Sequence, residues 1–273
     1  MKTITHTMPA WLLAVLLAAL LSGCRPEQLP ELPSLPGLPE ELRQLPEVLE
    51  KLELPDLSDI TLPSLDTLPG LQAPADGIVF SGPTERSVNA GESVPGTGIV
   101  FTGVEEGTAL FQIEGMESPK RVGDSLDFDG AWPTISGSLY SVRYRIYLIG
   151  ETSVRLAGVQ QLMIPGLAPE QAVIPEATKE DAAVLRFPFT DGVEVGGDTI
   201  HGTTWGYLGR FDRGAHLTGL SESQYPYRDV GDSIVWQGWL REGVAAEYDL
   251  RTLAYGAESL RVGGTVTLHI VAP

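Results

Sequence analysis

The chain has 273 residues, 18 basic and 36 acidic, for a formal net charge of −18, and it contains one cysteine. That charge argues against nucleic acid and anionic headgroups as partners, since both would repel it. A lone cysteine rules out an intrachain disulfide, so stability must come from packed cores, for which 42% hydrophobic residues suffice in one large domain or two small ones.

Met1-Lys2 opens a short, weakly basic stretch, and an apolar run extends over residues 11–21. The run is too short to span a bilayer, which takes about 20 apolar residues, but it has the size of a secretory leader's core. It ends in Leu21-Ser22-Gly23-Cys24. This tetrapeptide resembles a bacterial lipobox, with the sole cysteine at the position the motif requires. The resemblance implies that residues 1–23 are a signal peptide, removed before Cys24, and that lipid is attached to the Cys24 sulfur. It places the protein outside the cytoplasm, lipid-anchored to a bacterial membrane.

Residues 24–77 then read as an acidic Leu/Pro-rich stalk, with eleven acidic against three basic side chains over 25–77. Pro30, Pro33, Pro36 and Pro39 recur every third residue, each preceded by leucine. Proline fixes φ and holds the residue before it extended, so the segment favours polyproline II, with three residues per turn. Between Pro39 and Pro55 the leucines Leu42, Leu45, Leu49 and Leu52 change to helical spacing. The stalk is expected to act as a solvated spacer.

From residue 78 the composition turns β-branched and aromatic, punctuated by glycine, and the chain repeats itself. Val122-Gly123-Asp124-Ser125-Leu126 returns as Val230-Gly231-Asp232-Ser233-Ile234. Gly96-Thr97 returns as Gly202-Thr203, and Val88-x-x-Gly91 as Val193-x-x-Gly196. Two closely similar strands end at Ile164 and Ile270. A near-constant offset over such a length means a duplicated module: repeat 1 at 78–164, a connector at 165–183 with a helical turn or two, and repeat 2 at 184–270. Within repeat 1, Val142, Tyr144, Ile146 and Leu148 alternate with Arg143 and Arg145; in repeat 2, Tyr248, Leu250, Thr252 and Ala254 stand opposite Asp249 and Arg251. Period-two alternation predicts antiparallel strands with one buried face. Gly158 and Gly264, at equivalent places in the last strand, predict a bulge or a close approach. The expected fold is all-β: two tandem homologous antiparallel sandwich or small-barrel domains.

Three motifs bear on chemistry. Gly123-Asp124-Ser125-Leu126 and Asp198-Thr199-Ile200-His201 resemble the signatures of GDSL esterases, which would make Ser125 a nucleophile and His201 its base, oriented by Asp198. However, Gly-Asp-Ser occurs in both copies, and the chain's sole asparagine, Asn89, is out of order for an oxyanion hole. Turn chemistry accounts for the duplicated motif better, with glycine at positive φ and a side chain bonding local backbone. Ser125-Leu-Asp127-Phe-Asp129-Gly130 is similar to half a calcium loop but lacks the closing glutamate, and His201, His216 and His269 lack metal-ligand spacing. No catalytic set, metal or cofactor is expected. The Arg-Val-Gly-Asp turn on an exported protein is also similar to periplasmic domains of secretion and pilus assembly, which implies an assembly or pilot lipoprotein as an alternative function.

Phe128/Trp236 and Trp132/Trp239 read as duplicated core positions. Trp205, Tyr225 and Tyr227 have no matching rings in repeat 1, Arg228 stands beside the tyrosines, and aromatic and arginine side chains favour interfaces. They form the candidate ligand site, for an envelope protein or a glycan. The expected function is that of a surface-tethered, non-enzymatic binding or structural module of the cell envelope.

Overall fold

The computed structural model describes residues 60–220 and 224–271, and Cys24, the leader and most of the stalk lie outside them. The described residues are almost entirely antiparallel β-structure, and no sheet closes into a barrel. After a short 3-10 turn at Leu65–Thr67 come β1 (Ile78–Asn89), β2 (Val100–Glu105), β3 (Thr108–Ile113), β4 (Met116–Lys120), β5 (Ser125–Gly130), β6 (Leu139–Ile149) and β7 (Ser153–Ile164). They form a four-stranded sheet, β1-β7-β6-β5, and a three-stranded one, β2-β3-β4. A two-residue strand, β8 (Glu170–Gln171), and a short helix, α1 (Glu176–Asp181), lie in the connector. Then come β9 (Ala183–Glu194), β10 (Gly206–Phe211), β11 (Gly214–Thr218), β12 (Tyr227–Arg228), β13 (Ser233–Arg241), β14 (Val244–Tyr255) and β15 (Ser259–Ile270). Their sheets are β8-β13-β14-β15-β9 and β10-β11-β12. Apart from the added β8, the second order repeats the first, and no sheet mixes strands of the two segments.

The same local devices build both segments. Thr97 Oγ1 donates to the Val94 carbonyl and accepts from the Ile99 amide; Thr203 Oγ1 does the same with Ile200 and Trp205. Gly123 and Gly231 take φ of 92° and 91°. Beside them, the Asp124 carboxylate accepts the Arg121 amide at 2.8 Å and the Asp232 carboxylate accepts the Asp229 amide at 2.7 Å. These side-chain bonds satisfy amides that a tight turn would otherwise leave open. Gly158 and Gly264 mark close approaches and not bulges: a β-carbon at either would overlap the carbonyl of Arg143 or of Asp249 on the neighbouring strand.

The bulges lie one strand away, at Ile146/Leu148 and Thr252/Ala254, and they correct the alternation. Val142, Tyr144 and Ile146 are buried, as are Tyr248, Leu250 and Thr252, but the extra residue rotates the remainder of each strand. Leu148 is therefore only half-buried and Ala254 is exposed. On the outer face, Arg143 and Arg145 reach across to Asp129 and Asp127 of β5 (2.8 and 3.8 Å). The half calcium loop is thus a strand whose two acids pair diagonally with arginines of β6.

The segments meet at β1 and β9, each an edge strand of its sheet. They run past each other in opposite directions: Arg86 reaches Val184, Gly82 lies against Pro188, and His201 meets Gly77. A β-carbon at Gly82 would overlap the Pro188 ring. No ladder joins the two strands. Instead, the free-edge carbonyls of Val184 and Arg186 accept from Arg86 Nη2 (2.7 Å) and Gln160 Nε2 (3.0 Å). Phe80 stacks on Phe187, ring centroids 5.5 Å apart, and a single buried apolar cluster runs through both segments.

Helix α1 is clamped to repeat 2 by charge. Lys179 donates to Glu247 Oε1 on β14, and His269 Nε2 donates to Glu247 Oε2 at 3.2 Å. Burial pushes the Glu247 carboxyl up, but the bonds from Lys179 and His269 outweigh it and hold it below its ordinary 4.5.

Gly158→Ala or Gly264→Ala should lower stability by about 1–3 kcal/mol or more in denaturant titrations, whereas Gly192→Ala, with open space around it, should stay within about 1 kcal/mol. Because the folded Glu247 titrates below its unfolded value, its contribution is complete above about pH 5 and lost as pH falls below 4.5. The stability gap between wild type and Lys179→Met, read from urea midpoints, should therefore shrink between pH 6 and pH 3. A constant gap would show that Lys179 acts through packing alone.

Candidate functional site

Strand β10 turns back into β11 through Asp212-Arg213, and β12 closes onto β11 with His216 opposite Tyr227. Gly214 makes this possible, since a β-carbon there would press on the Arg228 carbonyl at 2.6 Å. The small sheet gathers four rings. His216 stacks on Tyr227 at 4.6 Å, Phe211 meets His216 edge-on at 5.1 Å, and Tyr225 leans on Tyr227 at 5.5 Å. The Arg213 guanidinium lies 5.9 Å from the Tyr227 ring centre, a cation–π arrangement. Tyr225 is 59% exposed and Phe211 49%, so the cluster is a surface platform and not a core.

Arg228 has a different task from the one its sequence context suggests. Its guanidinium donates to the carbonyls of Tyr225, Tyr227 (2.8 Å) and Ser233 (3.1 Å). The Leu217 amide bonds the Pro226 carbonyl beside it at 2.9 Å. Arg228 therefore fixes the backbone that carries the two tyrosines. Holding rings in place before a ligand arrives removes part of the ordering cost of binding.

Trp205 does not join this group. It is 1% exposed, its indole N–H donates to Gln171 Oε1 at 3.3 Å, and its amide bonds Thr203 as Ile99's bonds Thr97. It fills the place that buried Ile99 holds in repeat 1. The structure thus brings Tyr225, Tyr227 and Arg228 together and adds Phe211, Arg213 and His216, which sequence reasoning missed. Their link is strand register, which places His216 against Tyr227 eleven positions away. Register also identifies the counterparts in repeat 1: Leu110 faces Pro119 and Ala109 faces Lys120, where repeat 2 has His216 facing Tyr227 and Ala215 facing Arg228. The platform belongs to one copy only.

The other sequence candidates separate. Ser125 pairs with Arg145, which lies opposite Ala157 and then Glu85 of β1. His201 instead donates from Nε2 to Gly77, just ahead of β1 (3.2 Å). Three strands across and eight residues along put the two about 25–30 Å apart, far beyond a nucleophile–base hydrogen bond. Of the duplicated aromatics, Trp236 and Trp132 are buried and Phe128 is half-buried. Trp239 departs from the core reading: it lies half-exposed in β13 opposite Ala245, whereas Trp132 sits beyond the end of β5. Cys24 lies outside the described residues.

No protein-family model, curated protein or solved structure matches this chain.

Proposed function

We propose that the protein is a lipid-anchored, non-enzymatic binding module of a bacterial envelope, tethered at Cys24 and engaging its partner through the platform of repeat 2. The observation that carries this reading is the exposed, pre-positioned cluster of Tyr225, Tyr227, Phe211 and His216, which the duplicated copy does not share. Flat aromatic rings offer large contact area with little side-chain entropy to lose, and Arg213 adds a charge at the rim. The lipobox at residues 21–24 supports the location, and the Leu/Pro pattern of residues 24–77 supports a spacer between lipid and module. A stable anchor would need more than one acyl chain, because one gives only marginal membrane binding.

Tyr225→Ser/Tyr227→Ser should change unfolding free energy by less than about 1–2 kcal/mol, as for exposed positions, and abolish co-sedimentation of the full chain, produced without acylation, with isolated envelope fractions. Lys120→Ala, at the Arg228-equivalent position of repeat 1, should leave co-sedimentation intact. A loss of several kcal/mol for the tyrosine variant, as expected of core rings, would make the cluster structural. Separately, mass spectrometry of protein recovered from membranes should find a chain starting at Cys24 with added acyl mass, and Cys24→Ser should yield neither the cleavage nor the added mass.

A further inference from the structure

A second site lies away from the platform, where loop 131–138 of repeat 1 and the connector face the tight β13–β14 turn. A cleft of about 890 Å³ opens there, walled by Thr134, Ser136, Glu170, Trp239, Arg241 and Glu242. That volume falls in the range of about 300–1,000 Å³ common for small-molecule sites, which favour domain interfaces.

Its walls combine one fixed group with several unused ones. Arg241 Nη1 donates to the carbonyls of Pro165 (2.7 Å) and Ser136 (3.3 Å), tying the turn of repeat 2 to repeat 1 and holding the cleft's shape. Around it, hydrogen-bonding capacity is left over. Trp205 and Trp236 donate their indole N–H groups to Gln171 and Thr204. Among the described residues the indole N–H of the half-exposed Trp239 has no such partner and is left open. Thr134 Oγ1 is buried without a partner. The carboxylates of Glu170 and Glu242 make no ion pair or hydrogen bond with the described residues.

We infer that this cleft binds a neutral saccharide, with a pyranose ring lying on Trp239. A pyranose has an apolar C–H face and a rim of hydroxyls, each able to donate and accept. A flat indole beside two carboxylate acceptors, an N–H donor and the exposed Ser136 hydroxyl is the complement of that shape. A cationic ligand would use the ring and the carboxylates but leave the N–H and hydroxyl donors unmatched. An anionic ligand would meet Glu170 and Glu242.

The test uses the purified full chain on an array of neutral, acidic and amino oligosaccharides, then titration of the best neutral ligand with tryptophan fluorescence as readout. Saturable binding is expected, lowered at least tenfold by Trp239→Ala and by Glu242→Gln, with Trp239→Phe intermediate because it keeps the ring and loses the N–H. Glu242 is exposed on the turn, so Glu242→Gln decides the matter even if Trp239→Ala fails to fold. Tyr225→Ser/Tyr227→Ser should leave this titration unchanged, which separates it from the platform. The inference is overturned if no neutral saccharide binds, if binding ignores both Trp239→Ala and Glu242→Gln, or if choline shifts the fluorescence where saccharides do not.

Discussion

The structure depends on how two edge strands meet without joining. β1 and β9 run antiparallel and side by side, each with one row of backbone groups unpaired within its own sheet, which is the usual setting for ladder formation. Pro83 and Pro188 occupy equivalent positions in the two strands, and proline offers no amide to a ladder. The free carbonyls of β9 are answered instead by Arg86 and Gln160, while Phe80 and Phe187 stack across the joint. The result is two separate sheet systems with one continuous core. That joint also fixes the geometry of the cleft, because Arg241 can bridge to Pro165 and Ser136 only when the repeats are held together.

Duplication explains which parts of the fold were readable from sequence. Fold class came from period-two alternation and from turns that appear twice, and the turn residues behave in the structure as their chemistry requires. Gly123-Asp124 and Gly231-Asp232 make the same side-chain-capped turn, and a β-carbon at Gly158 or Gly264 would meet a neighbouring carbonyl. Alternation failed at Leu148 and Ala254 because each lies just past a bulge, and a bulge of one residue leaves no composition signal. Strand β8 was invisible for a related reason: two residues carry no period.

The candidate site was legible in part. Tyr225 and Tyr227 stand out because repeat 1 has no rings at those positions, but Phe211 and His216 become their neighbours only through strand pairing. Trp205 was misleading because a larger residue at a core position looks, by comparison with Ile99, like something new. Trp239 was misjudged on parity. Trp236 and Trp239 are three apart on one strand, so they must face opposite ways; with Trp236 buried, Trp239 has to point outward. Arg228 shows that an arginine among aromatics can serve the backbone that carries them.

The glycine at the joint also bears on how the chain avoids misfolding. Tandem copies of one fold risk exchanging equivalent strands while they fold, and β1 and β9 both pair with the last strand of their own copy over twelve residues in the same antiparallel sense. One position that tells them apart is Gly82 in the first strand and Phe187 in the second. A swapped chain would bring phenylalanine to the place where even a β-carbon overlaps a proline ring, and would leave a hole where Phe187 now stacks. The mismatch penalises exchanged strands at the point where the two halves close, because both contacts form across the joint.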